Sequence, residues 1–130
     1  MGITGNSMVS DEDILGELKS ACANLNYPSE SDEPFVVFRW NATEPEAWKQ
    51  IQFDDKLEGL AWTETSVDDF FSQLDESEDA IKFQRLRRLL EIRLTNLRLF
   101  RFGEIEVKVY LVGLTPAGSW AGVRTISVET

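Results

Sequence analysis

The hydrophobic pattern changes period close to residue 100, and this constrains the fold more than any other feature of the sequence. From Glu78 to Leu97, the side chains of Phe83, Leu86, Leu89, Leu90, Leu94 and Leu97 project onto one broad helical face. Lys82 and Arg93 fall near that face, so the stripe is imperfect. From Glu104 to Val112 the period is two. Ile105, Val107, Val109 and Leu111 alternate with Glu104, Glu106, Lys108 and Tyr110, as in a strand with one buried face. Gly113 to Ser119, containing Thr115-Pro116-Ala117-Gly118, predicts a turn, and Trp120 to Val128 a strand that returns antiparallel. Arg98 to Phe102 adds a strand before Gly103.

The first two thirds supply the remaining elements. Ser10-Asp11-Glu12-Asp13 reads as a helix start with Ser10 as N-cap. Ile14, Leu15, Leu18, Ala21, Cys22 and Leu25 follow at helical spacing, and Asn26 and Pro28 end the run. Phe35 to Trp40 is β-branched and aromatic between Pro34 and Asn41, and predicts a strand buried over most of its length. Thr43 to Gln52 predicts a short helix entered through Pro45, and Leu60 to Glu64 a second strand. Ser66-Val67-Asp68-Asp69 is another capped start, leading to Phe70, Phe71 and Leu74. Residues 1–9 read as a leader and residues 10–130 as one domain, in keeping with a length of 130 residues. Helices before and between strands, closing on a hairpin, predict an α+β domain or a three-layer α/β/α one.

Composition excludes much chemistry. The chain has no histidine and one cysteine. No Ser–His or Cys–His couple, mixed Cys/His zinc site or intramolecular disulfide can be built from it. Cys22 lies on the apolar stripe of the first helix and reads as a buried, inert thiol. A formal charge of −10 argues against binding a phosphate backbone and favours solubility or a cationic protein partner. The charge is uneven: residues 1–81 hold 19 acidic and 4 basic side chains, residues 82–130 hold 4 acidic and 9 basic. Either the halves pack together and compensate, or one acidic surface faces a basic partner.

No basic stretch followed by an apolar run opens the sequence, and no segment is long and apolar enough to span a bilayer. With a single unpaired cysteine, this predicts a cytoplasmic protein. Asp75-Glu76-Ser77-Glu78-Asp79 lacks the order of a calcium loop and reads as helix capping, the acids complementing the dipole of the helix that follows. Glu30 sits in the polar loop Pro28 to Pro34, a solvated turn on local sequence and a candidate contact for a partner's Arg or Lys. Thr130 follows directly on a predicted strand and carries a hydroxyl beside an α-carboxylate, two hard oxygen donors suited to Mg²⁺. Paired carboxylates acting as an enzyme's acid and base are the least favoured alternative, because no pair is marked out.

Four stretches together resemble the nuclease A inhibitor family, whose members inactivate a sugar-non-specific endonuclease. They are Ser29-Glu30-Ser31 through Pro34-Phe35 to Val37-Phe38-Arg39-Trp40; Asp69-Phe70-Phe71-Ser72; Lys82-Phe83-Gln84-Arg85-Leu86; and Gly103-Glu104-Ile105-Glu106-Val107 through Val109-Tyr110, Thr115-Pro116-Ala117-Gly118 and Ala121-Gly122 to Val128-Glu129-Thr130. The resemblance implies a three-layer α/β/α sandwich with an antiparallel-containing sheet, no catalysis by this chain and no cofactor of its own. It implies a one-to-one complex in which Thr130 ligates the nuclease's Mg²⁺ through its hydroxyl and carboxylate, and Glu30 engages basic residues. The family pattern has a longer acidic loop with an aromatic after Phe-Phe-Ser. Here Gln73-Leu74-Asp75-Glu76 runs almost directly into the helix, and Asp75 stands where part of that contact is made. The alternative reading is an acidic module of the same fold with a different cationic protein partner.

Overall fold

The computed structural model describes residues 9–129. The leader expectation falls outside them except at Val9, which packs against the first core; Thr130 also lies outside. The order is α1 (Asp11–Cys22), β1 (Asn26–Tyr27), β2 (Glu33–Pro34), β3 (Val36–Trp40), α2 (Ala47–Asp55), β4 (Trp62–Thr65), α3 (Val67–Ser72), α4 (Ala80–Arg93), β5 (Thr95–Phe102), β6 (Glu106–Leu114) and β7 (Trp120–Val128). β1 and β2 form a two-stranded ribbon. The other five strands form one sheet in the order β3-β7-β6-β5-β4, every pair antiparallel. The mixed α+β class read from the sequence is the one observed.

Each face of this sheet carries its own core, because alternate residues of the strands point opposite ways. Leu99, Val107, Val109, Leu111, Ala121 and Val123 meet apolar residues of α1, α3 and α4. Phe38, Phe100, Phe102, Tyr110, Val112 and Trp120 meet Ala47 and Ile51 of α2. Two sequence expectations fail here, each for its own reason. Tyr110, read as outward, is 2 % exposed, because α2 covers the face that period two leaves wet. Ile105, read as buried, is 65 % exposed, because it precedes the strand in the β5–β6 turn.

The capped starts are confirmed: Asp13 N–H donates to Ser10 Oγ at 3.1 Å and Asp69 N–H to Ser66 Oγ at 3.2 Å. α1 ends earlier than expected, at Cys22, with Asn24 at φ 60° turning the chain toward β1. α4 also ends earlier. Leu94 is already extended, and residues from Thr95 pair with β6 instead of adding a helical turn, so Leu97 belongs to a strand. Its first turn holds no acid, since Asp75 to Asp79 form the preceding turn. β3 pairs only with β7 and is a sheet edge, with Val36 44 % exposed, which corrects the expectation of a largely buried strand. Cys22 is buried, and burial pushes its thiol up to about 12.

Part of the uneven charge is compensated by pairing across the halves. Arg93 holds Glu17 through two bonds of 2.7 and 2.9 Å, and Arg98 holds Glu64 at 2.8 and 2.7 Å. Arg87 pairs with Asp68, and Arg124 with Asp55. Hydrogen bonds from Arg93 and Arg98 hold Glu17 and Glu64 below the ordinary 4.5. A carboxylate whose pKa is depressed by folding stabilises the fold above its unfolded value and stops doing so as pH falls through its folded value. Thermal melts therefore decline in midpoint as the pH is lowered below 4.5. Glu64→Gln lowers stability by about 0.2–1 kcal/mol at pH 7, and its difference from the native chain closes on acidification. A constant difference across that range contradicts the assignment.

Candidate partner interface

The loop after β1 is fastened to the last residues of β7. Val128 N–H donates to Ser29 Oγ at 3.1 Å, and Glu30 N–H donates to the Val128 carbonyl at 3.2 Å. The Ser29 hydroxyl donates to the Ser31 carbonyl at 2.7 Å, and the Ser31 hydroxyl to Glu33 at 2.8 Å. Both serines are thus occupied in shaping the loop, while the Glu30 side chain is exposed and has no ion pair among the described residues. Residue 30 is thereby held beside the end of β7, 98 residues away in sequence.

Glu129 holds the other side of that strand end. Its N–H donates to the Ile105 carbonyl at 2.8 Å, and Val128 is the cross-strand partner of Glu106. Its carboxylate accepts from Ser127 Oγ at 2.8 Å and from Arg101. Burial raises its pKa, but the Arg101 and Ser127 bonds outweigh this and hold it below the ordinary value. Glu129 is therefore consumed in fixing the strand end and is not a free contact.

Asp75 is exposed in the α3–α4 turn, its N–H donating to the Ser72 carbonyl at 3.2 Å. It is not in described contact with Glu30 or Val128. Gln73, two residues earlier, lines a cleft of about 390 Å³ with Tyr27, Asp69, Arg101 and Glu129, so the turn borders the same edge. Among the described residues no group of three or more acidic or sulfur side chains is arranged to hold a metal, and no helix is long and apolar enough to cross a membrane.

A family model described as nuclease A inhibitor-like protein matches residues 12–130, nearly the whole chain. The chain belongs to the nuclease A inhibitor-like family. The matched span of this inhibitor-like chain includes Glu30, Asp75 and Thr130. Among curated proteins, none matches it.

Sequence reasoning missed two features. The exposed turn Glu104-Ile105-Glu106 borders the strand end, although alternation assigned Ile105 to the core. On the other sheet face, Asp55 closes α2 and accepts from Tyr110 Oη and, at 3.3 Å, from Arg124 Nη1, in a cleft of about 350 Å³ that also contains Lys108. Burial pushes the Asp55 carboxyl above its ordinary value, against the pull of Arg124 and Lys108. No residue singled out from the sequence lies there.

Proposed function

We propose that this chain is a protein inhibitor of a Mg²⁺-dependent, sugar-non-specific endonuclease, acting in the cytoplasm through a one-to-one complex. In this reading it is a binding protein and not an enzyme. Thr130 enters the nuclease active site and offers its hydroxyl and α-carboxylate to the Mg²⁺ there. Oxygen ligands at about 2.0–2.1 Å from Mg²⁺ can replace its bound waters. Glu30, and with it Asp75, meets basic groups that otherwise hold nucleic-acid phosphates. A nuclease site is cationic and metal-loaded, so an acidic protein is steered toward it.

The observation that carries the reading is the fastening of the Ser29–Glu30 loop to Val128 in a member of the nuclease A inhibitor-like family. A loop and a strand end joined by two hydrogen bonds can engage one partner with little ordering on binding.

Charge reversal tests the Glu30 contact. Glu30→Lys leaves the backbone bond to Val128 in place, so the melting temperature stays within about 2 °C of the native value. Its inhibition constant against the nuclease rises about 10–100-fold, the effect of losing a close charge pair and gaining a repulsion. Equal inhibition by the two proteins removes Glu30 from the interface. Tight binding to a non-nuclease cationic protein, with no effect on any such nuclease, selects instead an acidic module with another target.

A further inference from the structure

The β5–β6 turn and the first residue of β6 present Glu104, Ile105 and Glu106, all exposed, with Ile105 at 65 %. An isoleucine this exposed at a turn adds little to folding, since it removes little apolar surface from water. Its backbone is nonetheless rigidly held. Gly103 N–H donates to the Ala61 carbonyl at 2.9 Å, and Glu129 N–H donates to the Ile105 carbonyl. Gly103 has φ +103°, and a Cβ there would stand 2.7 Å from the Glu106 carbonyl oxygen, so only glycine fits. The turn is a preset tip on one side of the β7 end, and the Ser29–Glu30 loop flanks the other side.

Its chemistry selects one occupant. A second copy would bring Glu30, Glu104 and Glu106 against their own kind on a chain of charge −10. One isoleucine between two carboxylates is repelled by an anionic bilayer surface. A basic protein surface with an apolar depression complements all three residues.

Resting on the nuclease-inhibitor reading above, we infer that Ile105 is a second anchor of the partner-binding edge. Its side chain enters an apolar depression beside the nuclease active site, and Glu104 and Glu106 meet the cations around it. Buried apolar anchors ringed by polar contacts dominate many protein interfaces.

The test is binding of the full chain to sugar-non-specific Mg²⁺ endonucleases by calorimetry, with Mg²⁺ and with EDTA. EDTA removes the metal and with it any contribution of Thr130, so residual binding reports the tip and the Glu30 loop. Ile105→Ala weakens residual binding about 10-fold and Ile105→Asp more, while deletion of Thr130 leaves it unchanged. Native-like melts are expected for both substitutions, since the side chain is exposed. Unchanged residual binding by both variants overturns the second anchor alone, whereas binding by the native chain that vanishes in EDTA overturns the anchor and the Glu30 contact together. Undiminished inhibition after deletion of Thr130 overturns the metal contact and leaves the anchor standing. No binding of the native chain to any such nuclease overturns both.

Discussion

Deletion of Thr130 raises the inhibition constant against the nuclease at least about 100-fold, the size expected when a charged, metal-directed contact is lost whole. The fold survives the deletion. β7 keeps its pairing with β6 through Val128, and Glu129 keeps its bonds to the Ile105 carbonyl, Ser127 and Arg101. Circular dichroism and melting temperature therefore match the native chain. A Gly-Ser extension after Thr130 separates the two donors: it retains the hydroxyl and converts the carboxylate into an amide. Loss of inhibition in the extended chain shows that the contact needs the chain to end at Thr130. Undiminished inhibition by both variants shows that the metal is not the target of this residue.

Gly122→Ala unfolds the protein at moderate temperature. Gly122 lies in β7 with strands on both sides, opposite Phe38 of β3 and Val112 of β6. A Cβ at this position would overlap the Leu111 carbonyl oxygen and stand 2.9 Å from its carbon. Both atoms are backbone in the neighbouring strand, so neither can rotate aside. Relief requires parting β7 from β6 beside Leu111 and Val123, both buried in the first core. Overpacking that displaces backbone falls at the upper end of single-residue effects, about 3–5 kcal/mol. That is a large fraction of a typical domain stability of about 5–15 kcal/mol, and lowers the melting temperature by about 10–20 °C. A melt within about 3 °C of the native chain contradicts the packing described for the central strands.

Local chemistry was legible where a single side chain decides the outcome. The Ser10 and Ser66 caps and the bounds of β7 could be read directly, because a cap bond or a strand flanked by a Gly-containing turn depends on near neighbours. The end of α4 could not. Leu94 and Leu97 satisfy a helical period as well as an extended one, and pairing of Thr95 with Leu114 decides between them. The burial of Tyr110 and the exposure of Ile105 depend on α2 covering the second sheet face and on where β6 starts, neither of which alternation reports. Glu30 looked like an ordinary solvated turn, and only the family resemblance raised it. Its tie to Val128 crosses 98 residues of sequence. Gly122 was visible as part of a motif, whereas the reason for it lies in the Leu111 carbonyl of another strand.

In the proposed complex one copy of this chain occupies one nuclease active site. A nuclease of this class, held with Mg²⁺ at a concentration well above the inhibition constant, is titrated with the intact chain while cleavage of both DNA and RNA is followed. Both activities are expected to fall together and linearly, reaching zero at one equivalent. Full activity toward both substrates at a large excess of the chain, across nucleases of the class, overturns the proposed inhibition.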